Sequence, residues 1–335
     1  MILDCHCHVI PAGMFTDAVP ADWRPVVTED AGRQVVTFQG RQLTSITGEF
    51  CDVDVMLAQA AAVRVTHLLL SPWVLLIPTE AEPALAARLC RVQNESLAEA
   101  ASRVDGRVFA LGAVPLQDPA AAVAELHYLM GLPGMRGVEV PASVAGSYLG
   151  EDRFASFWAA ADECGAAVFV HPTTRGLGLP ALNGQYLWNS VGNPVETTIA
   201  AAQLVTNGVL ARHRNLRVLL AHGGGALLTL RGRLRRSYAV RPEAAASSAS
   251  PPDVLLRRLY YDGLTHDQAV LADLVAFAGA EHVVLGSDRP FDMGADHPVA
   301  DIAALGLNHA DEQLVLSGSA SKLLGLETTS EVHHR

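Results

Sequence analysis

Short apolar runs recur along the chain, and Ala- and Leu-rich segments of helical length separate them. Most of these runs lack alternating polar residues, which is typical of strands in a parallel sheet that is covered on both faces. We predict strands at residues 2–4, 65–70, 108–114, 137–140, 167–170, 218–221, 259–262 and 283–286. Eight strands that alternate with helices predict an α/β fold, the (β/α)8 TIM barrel. The main alternative is an open doubly wound sheet, but no G-x-G-x-x-G turn follows the first strand.

Residues 11–50 interrupt this alternation after the first strand. Within them, residues 35–38, the pair Gln39-Gly40 and residues 41–43 predict a small β-hairpin. Because the insertion follows the end of a strand, we expect it to form a lid on the C-terminal side of the barrel. We expect residues 1–326 to form a single barrel domain and residues 327–335 to form a C-terminal tail, whose histidines are left out of the site.

The composition argues against several classes of protein. Half of the 335 residues are hydrophobic, and 24 basic against 35 acidic residues give a net charge of −11, without the basic face of a nucleic-acid-binding protein. No apolar run reaches the roughly 18 residues of a transmembrane helix, and the N-terminus lacks the pattern of a signal peptide. Five sparse cysteines argue against a disulfide framework. We therefore expect a cytoplasmic protein that binds neither membranes nor nucleic acids.

Histidines and one aspartate stand where predicted strands end. His6 and His8 close the first strand, and they share a face because side chains alternate along a strand. His171, His222 and Asp288 close the fifth, sixth and eighth strands. The C-terminal ends of barrel strands are where active sites of this fold are built. Each residue alone could be an ordinary polar strand end, but five together favour a metal site.

Longer motifs give the chain a family resemblance. It resembles the amidohydrolase superfamily, in the branch of 2-amino-3-carboxymuconate 6-semialdehyde decarboxylase, over residues 1–326. The motifs are Asp4-Cys-His-Cys-His8, His171-Pro172, Val191-Gly-Asn-Pro-Val-Glu-Thr-Thr-Ile-Ala200, Ala221-His-Gly-Gly-Gly225, Tyr261-Asp-Gly-Leu-Thr-His-Asp267 and Leu285-Gly-Ser-Asp-Arg-Pro-Phe291. The resemblance also implies a homodimer.

The resemblance implies roles for the residues at the strand ends. His6, His8, His171 and Asp288 would ligate a divalent metal, with no organic cofactor. This set of nitrogen and oxygen ligands suits Zn²⁺ best, and Mn²⁺ is possible. His222 would act as the acid/base beside the metal, and Asp288 could share that role.

The sequence His-Gly-Gly-Gly also occurs as an oxyanion-hole loop in lipases. That chemistry needs a nucleophile in a G-x-S-x-G motif, which this sequence does not contain. We expect Gly223 to Gly225 to let the backbone turn closely around the site.

The resemblance suggests three substrate contacts. Arg233 matches an arginine that reaches a substrate carboxylate across the subunit interface, although a solvated helix face is the alternative. Trp188 matches a tryptophan beside the substrate, or it packs in the core or a loop. Arg289 replaces the usual tyrosine and would bind a substrate anion or pair with Asp292. Thr44 stands where the family has a second carboxylate-binding arginine, so the native substrate of the family is in doubt.

We therefore predict a metal-dependent, non-oxidative decarboxylase of an unsaturated or aromatic carboxylic acid, with a small anionic or aromatic substrate. The alternative is a metal-dependent hydrolase of the same superfamily, which acts on an amide, ester, lactone or C–C bond. The changed positions Thr44 and Arg289 motivate that alternative. A third hypothesis is a barrel whose metal is structural or sensing. Structural zinc sites usually have four protein ligands and no open position, so the additional His222 argues against it.

Overall fold

The structure is a computed structural model that describes residues 1–30 and 32–326, so the predicted tail lies outside the described residues. Eight parallel strands follow one another around the central sheet in chain order. They are β1 (Leu3–Val9), β2 (His67–Pro72), β3 (Val108–Gly112), β4 (Met135–Pro141), β5 (Ala167–His171), β6 (Arg217–Leu220), β7 (Tyr260–Asp262) and β8 (Val283–Val284). The backbone N–H groups of Cys5 and His8 donate to the carbonyls of Leu285 and Arg289, at 2.9 and 2.8 Å. These hydrogen bonds join β1 to the segment that follows β8 and so close the barrel. The predicted barrel is confirmed.

Helices pack around this sheet. The main ones are α1 (Val53–Ala62), α2 (Pro83–Ser102), α3 (Pro119–Met130), α4 (Ala155–Cys164), α5 (Asn193–Thr206), α6 (Leu227–Val240), α7 (Gln268–Ala278) and α8 (Ser319–Leu324). Shorter helices are Val209–Arg212, Pro242–Ala245, Pro252–Leu256, Pro298–Ala303 and His309–Gln313, and π-helical turns are Trp188–Gly192 and Leu314–Gly318. Asp52, Asp118 and Asp267 begin α1, α3 and α7, because each side chain accepts hydrogen bonds from backbone N–H groups of the first turn. Among the helices that the structure describes, none is long and apolar enough to span a bilayer.

The apolar runs of the strands are explained by burial on both faces. Leu68 and Leu70 of β2 pack in the large cluster between the sheet and the helices. Leu69 between them belongs to a second cluster with Leu111 and Phe169, which faces the barrel interior. Because neither face meets water, the strands need no polar alternation, and each buried leucine contributes about 1.5–3 kcal/mol.

The insertion after β1 carries a three-stranded antiparallel sheet of Val26–Asp30, Arg33–Phe38 and Arg41–Leu43. Gln39 and Gly40 join the last two strands, and both have positive φ, as a two-residue type I′ turn requires. Buried Phe38 lies 6.0 Å from the ring of Trp73, which follows β2. This contact anchors the insertion at the C-terminal side of the barrel.

Candidate active site

Strand ends bring the candidate ligands together. His6 and His8 lie on β1, His171 is the last residue of β5, and Asp288 follows β8. The first strand is longer than predicted, because His8 continues the pairing with β2 opposite Ser71. Each of His6, His8, His171 and Asp288 offers a ligand atom, and these atoms all lie within 4.8 Å of one another.

The donor atoms of this group fit a divalent cation. Asp288 Oδ1 lies 3.3 Å from His6 Nε2 and 3.2 Å from His8 Nε2. Asp288 Oδ1 and His171 Nε2 are buried without a hydrogen-bond partner among the described residues. Buried polar atoms are destabilising unless a partner satisfies them. Three imidazole nitrogens and one carboxylate oxygen suit Zn²⁺ or Mn²⁺ and would satisfy both atoms.

The charges around the group also favour a cation. Burial lowers the pKa of His6, but the charge of Asp288 and the hydrogen bond to Asp262 outweigh burial and raise it to about 10. For His8, burial is outweighed by Glu139 and Asp288, and its pKa rises to about 9. The carboxylates thus hold positive charge here, which a divalent cation replaces when it displaces the protons.

Two buried carboxylates behind the histidines were not predicted from the sequence. Asp262, the last residue of β7, accepts a hydrogen bond from His6 Nδ1 at 2.6 Å and one from the backbone N–H of His222 at 2.9 Å. Glu139 on β4 places its oxygens 3.6 Å from His8 Nδ1 and 3.9 Å from His171 Nδ1. The hydrogen bond to Asp262 orients the ring of His6 so that its Nε2 faces the other candidate ligands. Glu139 is beyond hydrogen-bond distance and acts on His8 through its charge, whereas His171 Nδ1 contacts the carbonyl oxygen of Pro172 at 2.9 Å. Asp262 ends an apolar strand as His171 does, so a signal for it was present in the sequence.

We expect Asp262→Asn to weaken metal binding by about 10–100-fold, as is typical when the partner of a ligating histidine is changed. The amide is a weaker acceptor for His6 Nδ1, and it disturbs the hydrogen bonds to the turn at His222. Competition with a chelator of known affinity measures the change. Asp118→Asn is the matched control, because among the described residues Asp118 accepts hydrogen bonds only from backbone N–H groups of α3. An unchanged metal affinity in Asp262→Asn would contradict this role.

The loop after β6 presents His222 to the pocket in a left-handed backbone conformation, with φ of 56°. Its Nε2 lies 3.6 Å from Asp288 Oδ2, and its side chain is 17% exposed. Gly223 and Gly225 also have positive φ, and a Cβ on Gly225 would lie 2.0 Å from the carbonyl oxygen of Pro194. The predicted close turn of the backbone is confirmed, since only glycine fits at Gly225.

A pocket of about 490 Å³ opens above His171, His222 and Asp288. Trp188 and Tyr186, whose rings meet edge to face with centroids 4.9 Å apart, form part of its wall. Residues 41–43 and Ser45 of the insertion also line this pocket.

The arginines around the site fall into two groups: two line the pocket, and two that the sequence suggested do not line it within one chain. Arg41 of the insertion and Arg175 line the pocket, and Arg175 pairs with Glu80. Arg233 is exposed on α6 and does not line this pocket within one chain. The structure does not bring Arg289 to the pocket either.

Arg289 instead lines a separate cleft beside α1, and its guanidinium donates to the carbonyl of Asp296 at 3.2 Å. The reason is the local backbone. Residue 289 continues the pairing with β1 as an isolated parallel bridge. Asp288 has a left-handed backbone conformation, with φ of 56°, so the chain turns between the two residues. Asp288 lines the main pocket and Arg289 lines the cleft.

Comparisons with known proteins show what this chain is similar to. The family model described as "Amidohydrolase" matches residues 3–326. The 2-amino-3-carboxymuconate-6-semialdehyde decarboxylase of Dictyostelium discoideum is 26% identical over 330 residues, which are 97% of this chain and 92% of that protein.

Solved structures have the same fold. The IDCase of Metarhizium anisopliae in its apo form has a TM-score of 0.81 at 21% identity and covers 98% of both chains. A dihydroxybenzoic acid decarboxylase from Polaromonas, solved with manganese and 2-nitroresorcinol, has a TM-score of 0.78 at 19% identity and covers 99% of both chains. The resemblance inferred from the motifs is confirmed. Because the family model spans residues 3–326, the chain belongs to the amidohydrolase family.

Proposed function

We propose that this protein is a metal-dependent, non-oxidative decarboxylase of an aromatic or unsaturated carboxylic acid. One observation carries the proposal: four ligand atoms meet within 4.8 Å at the floor of an open pocket, and His222 stands beside them. The decarboxylase names of the relative from Dictyostelium discoideum and of the Polaromonas structure support it.

His6, His8, His171 and Asp288 would hold the metal. We propose Zn²⁺ as the ion, with Mn²⁺ as the alternative that the Polaromonas decarboxylase contains. A divalent cation here would supply Lewis-acid stabilisation of negative charge on a substrate oxygen.

His222 is suited to deliver the proton that decarboxylation requires. Its ring lines the pocket and its Nε2 lies 3.6 Å from Asp288 Oδ2, so it can exchange a proton with that carboxylate. Protonation of the carboxyl-bearing carbon uses a π electron pair of the substrate to form a C–H bond. The C–C bond to the carboxylate then breaks, its electron pair restores the conjugation, and CO2 leaves.

Positive charge in the pocket fits an acid substrate. Arg175 is paired with Glu80, whereas Arg41 forms no ion pair within the described part of the chain. Arg41 is therefore the better candidate for a substrate carboxylate, in place of the arginine missing at Thr44. We keep the proposal that Arg233 reaches the site of a second copy in a homodimer, because it is exposed on α6.

We expect Arg41→Ala to raise KM for the acid by about 10–100-fold and to change kcat little, since a charge-assisted hydrogen bond is worth about 1.5–3 kcal/mol. Steady-state kinetics at constant ionic strength measures both parameters. Arg33→Ala, on the adjacent strand of the insertion, is the control because Arg33 does not line the pocket. Equal KM values for the two variants would argue against substrate binding by Arg41.

We further propose that residues 1–326 act as one catalytic domain, in which residues 11–50 form a lid. Support comes from Arg41 and Ser45, which line the pocket from the insertion. The five cysteines are unpaired, which supports the proposal of a cytoplasmic location.

The reaction class is tested with a panel of aromatic and unsaturated acids in heavy water. The metal-loaded enzyme should release CO2 and leave deuterium on the carbon that carried the carboxylate. Chelation should stop turnover, and added metal should restore it. The hydrolase alternative predicts oxygen from ¹⁸O-labelled water in the product instead. CO2 release that survives complete chelation would refute the proposal.

A further inference from the structure

The chain contains two Asn-Gly pairs, Asn183-Gly184 and Asn207-Gly208. An asparagine that precedes glycine is especially prone to deamidation, because a residue without Cβ lets its backbone nitrogen reach the preceding side chain. Asn183 lies in the loop between β5 and α5 and lines the main pocket above His171. Asn207 follows α5 directly and does not line that pocket.

The two asparagines start from nearly the same backbone conformation. Asn183 follows the short 3₁₀ helix Pro180–Leu182 with φ of −75° and ψ of −17°. Asn207 has φ of −85° and ψ of 6°. From either conformation, ψ must rotate before the nitrogen of the following glycine can reach the side chain of the asparagine. The contacts that oppose this rotation therefore decide which of the two pairs reacts.

Hydrogen bonds and packing restrain the Asn207-Gly208 pair. The backbone N–H of Gly208 donates to the carbonyl of Val205 at 3.2 Å, and the side-chain amide of Asn207 donates to the carbonyl of Gly150 at 3.1 Å. Gly208 is buried, and a Cβ on it would lie 2.1 Å from the carbonyl oxygen of Ser247. Both hydrogen bonds must break before Asn207 can react.

The Asn183-Gly184 pair lies in an open bend of its loop. Asn183 is exposed, and neither its side-chain amide nor the N–H of Gly184 has a hydrogen-bond partner within residues 1–30 and 32–326. Apart from the chain neighbours of Gly184, no described atom lies within 4 Å of the position that a Cβ on it would occupy. The nucleophile, the carbonyl that it attacks and the space for rotation are therefore present together at the wall of the pocket.

We propose that Asn183 is a site of spontaneous deamidation, which places a carboxylate in the main pocket. The backbone nitrogen of Gly184 attacks Cγ of Asn183, a C–N bond forms, and the bond from Cγ to the side-chain nitrogen breaks. Ammonia leaves with the amide proton of Gly184, and a cyclic imide remains. Water opens the imide at either carbonyl and leaves aspartate or isoaspartate at residue 183, so water is the only co-reactant.

The modification weakens the binding of an acid. Asn183 lines the same pocket as Arg41, so a carboxylate there offsets part of the positive charge that attracts a substrate anion. Isoaspartate also lengthens the main chain by one carbon, three residues before Tyr186 of the pocket wall. This consequence for turnover rests on the proposed function, whereas the modification itself rests only on the surroundings of the two Asn-Gly pairs.

Ageing of the metal-loaded protein tests the modification. The protein is kept in mildly alkaline water labelled with ¹⁸O, and its peptides are then mapped by mass spectrometry. The two hydrogen bonds that must break at Asn207 predict that Asn183 converts roughly 10–100-fold faster. The peptide with residue 183 should carry ¹⁸O and contain both aspartate and isoaspartate, because water opens an imide at either carbonyl.

The same incubation in urea is the control for the role of the fold. The two pairs should then convert at similar rates, since unfolding removes the difference between their surroundings. Equal rates in the folded protein, or no conversion at Asn183, would overturn the proposal.

Gly184→Ala is the matched variant. The φ of Gly184 lies outside the left-handed region, and the space around it accepts a Cβ, so alanine fits the loop. Its methyl group restricts the backbone and hinders the attack of the nitrogen, so aged Gly184→Ala should lose most of the conversion at Asn183. Undiminished conversion in this variant would contradict formation of an imide.

The effect on the pocket is measured as KM of the aged protein relative to the fresh protein. Conversion at Asn183 should raise KM for an acid substrate by roughly 3–10-fold, because like charges repel. Asn183→Asp should reproduce this rise, and aged Gly184→Ala should not show it. A KM that stays constant despite conversion would overturn the effect on the pocket. Absence of CO2 release from every acid, with conversion at Asn183 intact, would instead refute decarboxylation and leave the modification site standing.

Discussion

His171→Ala should leave the protein without tightly bound divalent metal and lower kcat/KM by on the order of 10³-fold. His171 supplies one of four ligand atoms, and its Nε2 has no hydrogen-bond partner among residues 1–30 and 32–326. A metal contributes several kcal/mol of charge stabilisation in a transition state, and each 1.36 kcal/mol is tenfold in rate. Metal analysis after gel filtration and steady-state turnover measure the two effects.

The control for this variant is His127→Ala, because His127 is exposed on α3 and far from the ligand group in the chain. A thermal melt in the presence of chelator separates loss of metal from loss of fold, since both proteins are then compared metal-free. Near-native activity of a metal-depleted His171→Ala enzyme would contradict the assigned site.

His222→Asn should retain about one metal per chain and lose about 10²–10⁴-fold in kcat, the usual contribution of a general acid or base. Asparagine is the appropriate replacement because it tolerates the positive φ of residue 222 better than most residues. The measurement is kcat and KM together with metal content. His309→Asn, at an exposed position, is the control.

Measuring both kcat and metal content of His222→Asn distinguishes a role of His222 in proton transfer from a role as a metal ligand. Loss of metal from His222→Asn would make His222 a ligand, and retention of kcat would remove it from proton transfer. Solvent deuterium incorporation in the residual product adds a third measurement, because a slower proton transfer also slows labelling of the carbon.

Much of the barrel was predictable because the signal is local. The run Leu68 to Leu70 is apolar throughout, and packing on both faces of β2 explains why. The length of β1 was underestimated, since His6 and His8 continue the strand although they are polar. Backbone pairing does not depend on side-chain polarity, so an apolar run marks the core of a strand better than its end.

The meeting of the candidate metal-ligating residues was also predictable from the sequence, because these residues stand at strand ends. His171 stands at the end of an apolar strand, and the C-terminal ends of all eight strands meet at one side of the barrel. Asp262 carries the same signal at the end of β7, and Glu139 is an isolated carboxylate within the apolar strand β4. Both are buried beside candidate ligand histidines, but their role depends on distances between strands that a sequence does not contain.

The sequence by itself determined the barrel, the strand ends and the residue types that meet there. Only the tertiary structure decided which arginines face the pocket. Arg289 is adjacent to the candidate ligand Asp288 in the chain, yet it lines a separate cleft, whereas Arg41 is distant in sequence and lines the pocket. The physical reason is that strand positions follow from local hydrophobic patterning, while the direction of a side chain follows from pairing and packing between segments far apart in the chain.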